Sequence, residues 1–323
     1  MLDVIGLKTY YYTDEGTVKA VDGVDLSIDI RETLGLVGES GCGKSTTGLS
    51  LMHLIPPTAE IVGGHANFFG RDLLTLGQKE MRKVRGSEIS MIFQDPTASL
   101  NPVLTVGDQI GEAIRIHQGI KRRKEIRVRC AKILGEVGIS DATARLSNYP
   151  FELSGGMQQR VMIAVALSCQ PKLLIADEPT SSLDVTIEAQ ILDLLRELRR
   201  EFDLSILMIS HDLGVIAEMA DKIVVMYAGK RVESASALEL FENPCHPYTK
   251  ALLKAIPRVE GKQTDIQPIP GKVPSLVDQG DECLFSPRCR YASSICRNQV
   301  PSFREVSDEH MVACHLFSGE NGE

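Results

Sequence analysis

The stretch that most constrains this 323-residue chain is Gly38-Glu39-Ser40-Gly41-Cys42-Gly43-Lys44-Ser45. It lies directly after the apolar run Thr33–Val37 and opens a helical pattern over residues 45–54. It matches G-x-x-x-x-G-K-[ST]. Glycines at 38, 41 and 43 let the backbone curl until successive N–H groups point inward, a nest suited to phosphate oxygens. Lys44 has the reach for the outer phosphates, Ser45 offers a hydroxyl to Mg²⁺, and the helix dipole favours the anion. Ser40, Cys42 and Thr46 complete the expected cradle. The motif implies a nucleoside triphosphate site on a strand–loop–helix unit. Cys42 admits two readings, a thiol activated by the positive potential or a small residue the loop tolerates.

The flanking pattern agrees with an α/β fold. Apolar runs at 89–93, 173–176, 205–209 and 223–226 alternate with helical patterns at 187–201 and 213–220, as in a parallel sheet covered by helices. Residues 4–12 and 23–30 read instead as short antiparallel strands around the turn Asp14-Glu15-Gly16. Helical patterning over 106–118 and 121–137 without a strand predicts a helical insert. Beyond residue 235 the texture changes. Eight of the fifteen prolines (Pro244, Pro247, Pro257, Pro268, Pro270, Pro274, Pro287 and Pro301) fall there, predicting a loop-rich appendage. The expected division is 1–235 for the nucleotide-binding domain, with a helical subdomain at about 94–165, and 236–323 for the extension.

Composition narrows the class. Hydrophobic residues are 43% and the net charge is −8, which excludes a disordered chain and disfavours bulk nucleic-acid binding. No apolar run approaches the ~18 residues of a membrane span, and the start lacks a basic and apolar leader. A soluble, cytosolic chain is expected.

Two further patterns carry chemistry. Leu173-Leu174-Ile175-Ala176-Asp177-Glu178 is an apolar strand closing on two acids. Neighbouring carboxylates can divide metal holding (Asp177) from water activation (Glu178). Leu153-Ser154-Gly155-Gly156-Met157-Gln158-Gln159-Arg160 precedes the apolar helix 161–167. Its free N–H groups at Ser154, Gly155 and Gly156 make a second anion site.

On these residues the chain resembles the nucleotide-binding subunit of ATP-binding-cassette transporters. The LSGGQ-type signature is matched, with Met157 where the family has Gln. The resemblance implies a RecA-like parallel-sheet ATPase core, an N-terminal antiparallel β subdomain, an inserted helical subdomain and a small C-terminal cysteine domain. It makes Gln94 in Phe93-Gln94-Asp95-Pro96 the Q-loop glutamine, touching Mg²⁺, and Ser181-Ser182-Leu183-Asp184 the D-loop. His211 becomes the switch histidine, Tyr11 the adenine-stacking ring with a register open by one to Tyr10 or Tyr12, and Gln158 part of the signature contact. Two ATP molecules are then sandwiched head-to-tail between this chain and a second ATPase subunit, a copy or a paralogue. The helical insert grips a membrane subunit.

The resemblance extends through Asn243-Pro244-Cys245-His246-Pro247-Tyr248, Ile269-Pro270-Gly271 and Pro274-Ser275-Leu276 to the dipeptide/oligopeptide and nickel importer subfamily. It implies two transmembrane permease subunits, an extracytoplasmic substrate-binding protein acting indirectly, no nucleic acid, and a peripheral place on the cytoplasmic side of the membrane. The rival reading is a soluble cassette ATPase in nucleic-acid or translation processes. Nickel or another solute is the alternative cargo. For Cys283, Cys289, Cys296 and Cys314 three readings stay open: a [4Fe–4S] cluster, which the subfamily includes, Zn²⁺, or unligated thiols. Gaps of five, six and seventeen residues lack the close pair usual for structural zinc.

Overall fold

The computed structural model describes residues 1–181, 183–255 and 269–317. Ser182 of the D-loop motif, Pro257 and Pro268 lie outside them. The described chain divides into two units, Met1–Thr75 with Met208–Glu323, and Leu76–Leu207. The expected boundary at residue 235 therefore falls inside the first unit.

In chain order the first unit opens with β1 (Leu2–Thr13) and β2 (Gly16–Ile28), joined at Asp14-Glu15. Both are longer than expected because alternate residues bury one face (Leu2, Val4, Leu7, Val24, Leu26, Ile28) while the other stays wet. Next come β3 (Thr33–Val37), α1 (Lys44–Leu51), β4 (Ala59–Phe68) and β5 (Arg71–Asp72). The antiparallel sheet has the order β2-β1-β4-β5.

The second unit begins with α2 (Gln78–Val84), β6 (Ile89–Ile92) and α3 (Pro96–Ser99). A helical group follows: α4 (Val106–Gln118), α5 (Arg123–Glu136), α6 (Ala142–Arg145) and α7 (Gly155–Leu167). Thr105 caps α4 by accepting the Asp108 N–H, and Gly119 at φ 67° ends it. Then come β7 (Leu173–Asp177), parallel to β6, and α8 (Val185–Glu201). Through β8 (Ser205–Ser210) the chain passes back to the first unit. Every residue of β3, β6, β7 and β8 is buried, the near-continuous burial of strands covered on both faces.

The first unit resumes with α9 (Leu213–Met219), β9 (Lys222–Tyr227), β10 (Lys230–Ser236), α10 (Ala237–Glu242) and α11 (Pro247–Lys254). It ends with the hairpin β11 (Phe303–Ser307) and β12 (His310–Ala313). Within the unit the strands run β11-β12-β10-β9-β3, with β9 parallel to β3. The extension thus extends the sheet of the cassette through the β10–β12 pairing of Glu233 with Val312. It also shares a core with β9. Tyr227, Tyr248 and Phe285 pack ring to ring at centroid distances of 4.7 to 5.5 Å, all nearly inaccessible. The loop-rich appendage thus borrows apolar surface from the sheet. Among the described residues no helix is long and apolar enough to cross a membrane.

Candidate functional site

In the first unit the glycine loop leaves β3 and enters α1. Gly38 has φ 153°, and a Cβ there would stand 2.2 Å from the Met226 carbonyl oxygen. At Gly43, φ 103°, it would stand 2.0 Å from that of Ala20. No side chain fits at either, so both glycines are steric requirements of the loop. Lys44, 5% exposed, folds back over the loop. Its Nζ donates to the carbonyls of Gly38 at 2.7 Å and Glu39 at 3.1 Å. Ser45 and Thr46 open α1 on the solvent-accessible side, and Ser40 and Gly41 are exposed in the loop. Cys42 is 1% exposed and burial pushes its thiol up, with Lys44 offsetting that only in part. The second reading of Cys42 holds: it fills space beneath the loop, and the activated thiol is set aside.

The three tyrosines take different places in the same unit. Tyr10 donates its hydroxyl to Asp22 at 2.8 Å, and Tyr12 is half exposed. Tyr11 brings its hydroxyl within 3.4 Å of Thr46 Oγ1, beside the loop. His211 is exposed in the turn between β8 and α9, where Asp212 caps α9 by accepting the Gly214 N–H at 2.6 Å.

The second unit carries the acids. Asp177 ends β7 in a buried position, and Glu178 follows with φ 47°, a left-handed conformation that non-glycine residues seldom adopt. Gln94 Nε2 donates to Glu178 Oε2 at 2.6 Å, so two residues 84 positions apart meet here. Ser154 is the N-cap of α7, with Gly155 and Gly156 as its first turn; Ser154 and Gly155 are exposed. Gln158 turns inward. Its Nε2 donates to the carbonyls of Pro150 and Leu153, while its Oε1 accepts from Thr97 at 3.2 Å, so its amide is spent shaping the signature loop. Asp184 caps α8 by accepting the N–H groups of Thr186 and Ile187.

Three features escaped sequence reasoning. Gln159, 1% exposed, donates from Nε2 to the Pro179 carbonyl at 2.6 Å, tying the signature helix to the turn that carries Glu178. A polar residue on the apolar side of the helix was the available signal. Tyr149 and Phe151 form an exposed stack, centroids 5.5 Å apart, just before the signature. The basic run Lys121-Arg122-Arg123-Lys124 precedes and opens α5, and its Lys121 and Arg123 line a cavity of about 580 Å³ with Arg115, Arg127 and Asp108.

The four C-terminal cysteines are partly buried. Burial pushes the Cys283 and Cys289 thiols up and takes Cys314 to about 11, and Cys314 also feels Cys283, Cys289 and Cys296 electrostatically. Among the described residues, ligand atoms gathered within 4.8 Å of one another belong to Glu233, Cys245 and His310. That carboxylate is already engaged, accepting the N–H groups of Cys245 (2.6 Å) and His246 (2.9 Å) and facing His310 Nε2 at 2.8 Å. It is a polar tie between β10, the α11 entry and β12.

Residues 21–181 match the family model described as ABC transporter, and residues 232–296 the one described as oligopeptide/dipeptide transporter, C-terminal region. The oligopeptide transport ATP-binding protein AppD of Bacillus subtilis (strain 168) is 47% identical over 324 residues, covering 100% of this chain and 98% of that protein. The dipeptide transport ATP-binding protein DppD of Escherichia coli (strain K12) is 45% identical over 315 residues, covering 98% and 96%. Among solved structures, the dimeric post-hydrolysis ATP-binding cassette MJ0796 bound to ADP and Pi aligns with a TM-score of 0.66 and 27% identity. That alignment covers 73% of this chain and 99% of that one.

Proposed function

This chain belongs to the ABC transporter family as an ATP-binding, ATP-hydrolysing subunit, and on that premise we propose that it powers a membrane importer of di- and oligopeptides. The observation that carries the cargo class is the match over residues 232–296, in a chain that aligns end to end with oligopeptide and dipeptide transport subunits.

In this reading Gly38–Thr46 hold the ATP phosphates through backbone N–H groups and the Lys44 ammonium, and Tyr11 stacks on adenine. Ser45, Asp177 and Gln94 would hold Mg²⁺, which would neutralise charge developing on the phosphates. Glu178 takes the proton of the attacking water, and the hydrogen bond it accepts from Gln94 orients its carboxylate. His211 contacts the terminal phosphate. Ser154, Gly155 and Gly156 serve the nucleotide held by the second subunit, as does Asp184 of the D-loop, with Gln158 holding the signature in shape. The pair is head-to-tail, and the permease grips the helical subdomain at about 94–165, near the exposed Tyr149–Phe151 stack. The domain reading keeps 1–235 as the cassette and 236–323 as the extension, on the cytoplasmic face of the membrane.

We propose that Cys283, Cys289, Cys296 and Cys314 hold a [4Fe–4S] cluster. They form a soft, all-thiolate donor set whose members interact electrostatically. Such a cluster cross-links the extension and supplies no step of hydrolysis.

The test is the assembled transporter with its binding protein in vesicles. Binding protein loaded with a defined tripeptide is expected to stimulate ATP hydrolysis, and a K44A chain and an S154R chain are each expected to be inactive yet to restore partial turnover when paired. Stimulation by nickel-loaded but not peptide-loaded binding protein overturns the cargo class. Absence of complementation overturns the shared-site arrangement.

A further inference from the structure

Glu39 lies inside the phosphate-binding loop and carries a full negative charge into a site that receives a polyanion. Sequence alone gives no reason for it. The structure supplies the compensation from 249 residues away. Arg288 Nη1 and Nη2 donate to Glu39 Oε2 and Oε1 at 2.6 and 3.0 Å, a two-pronged pair. The remaining donors of the guanidinium are also placed: Nε to the Pro270 carbonyl at 2.9 Å, Nη1 to the Tyr227 hydroxyl at 3.3 Å, and Nη2 to the Ile269 carbonyl at 3.3 Å. All five N–H groups are thus used, and the side chain is 3% exposed. The hydrogen bonds to Glu39 hold the guanidinium above its usual range. Tyr248 of α11 accepts the Glu39 backbone N–H at 2.8 Å, so two residues of the extension grip one residue of the loop.

The third neighbour of Glu39 is Lys44, whose Nζ sits 3.1 Å from the Glu39 carbonyl. Without Arg288, the Glu39 carboxylate is a second anion in the loop that Lys44 serves. We propose that Arg288 is a positioning residue of the nucleotide site: it sequesters the Glu39 carboxylate and so keeps Lys44 available for phosphate. The extension is then a structural part of the ATP site. Arg288 ends the turn Ser286–Arg288 directly before Cys289, so whatever orders the cysteine segment also orders this clamp. The proposal rests on the reading of Gly38–Ser45 as the nucleotide loop.

The experiment measures equilibrium binding of a fluorescent ATP analogue to the full chain, with Tm recorded for each variant. R288Q is expected to weaken binding about tenfold, the usual size of coupling between a site and a distant support. E39Q/R288Q is expected to recover most of that loss, because glutamine does not compete for Lys44 as a carboxylate does. A residue that merely stabilises the fold shows no such rescue. The proposal is overturned if R288Q binds within about twofold of wild type while K44A is weak, or if the double variant is as weak as R288Q. If K44A binds like wild type, the nucleotide-loop reading itself fails. Should R288Q not fold, R288M replaces it, with the same E39Q rescue expected.

Discussion

His246 offers the sharpest quantitative test of how the extension is held on the cassette. It is 2% exposed, and its Nδ1 accepts the Tyr248 N–H at 3.0 Å as the cap of α11. Burial, reinforced by the Lys250 cation one turn along, drives its pKa down to about 3 from 6.5. Above the unfolded value both states are neutral and nothing is lost. As pH falls below 6.5 the unfolded chain takes up a proton that the folded site refuses, so stability declines. Near pH 5 the folded site is still neutral, and the loss relative to pH 7 is the full uptake by the unfolded chain, about 2 kcal/mol for one histidine. The perturbation is H246N, which keeps an acceptor for the cap and cannot titrate. Urea unfolding at pH 7 and pH 5 is the assay, followed by near-ultraviolet signals from Tyr227 and Tyr248. Wild type is expected to lose about 2 kcal/mol more than H246N over that interval. His117, whose pKa is also lowered by burial, is common to both proteins and cancels. Equal losses refute the claim that the extension excludes a proton at this position.

Other outcomes follow from the site. E178Q is expected to bind ATP while turnover falls by about 10²- to 10⁴-fold, the usual contribution of a positioned base, and to accumulate as a nucleotide-bound dimer. Near-normal turnover removes Glu178 from that role. Y11A is expected to weaken ATP binding by about 1–3 kcal/mol, the scale of base–aromatic stacking, whereas Y12A leaves it unchanged in the same titration. Q159L breaks the buried bond to Pro179 and is expected to cost about 1–3 kcal/mol in denaturant unfolding while also slowing turnover through the Glu178 turn. Anaerobically purified protein is expected to hold about four iron atoms per chain with absorbance near ~400 nm, and C314S to lose them; zinc-loaded, iron-free protein contradicts the cluster.

The nucleotide chemistry was legible in the amino-acid order because each part is local. A phosphate nest needs glycines and a lysine at fixed spacing along a few consecutive residues, and the strand and helix around it declare themselves by unbroken apolar runs and by periodicity. Arg123–Glu136 and Val106–Gln118 emerged from periodicity in the same way. Tertiary structure decided whatever depends on contacts between distant residues. It set the three tyrosines apart, because only the pleat of β1 and its pairing decide which ring turns toward Thr46. It paired Gln94 with Glu178, buried Gln159 against Pro179, and showed Cys42 to be filling space. Above all it joined Arg288 to Glu39: periodicity and spacing act within an element, whereas a buried ion pair between residues 249 apart exists only once the chain has closed.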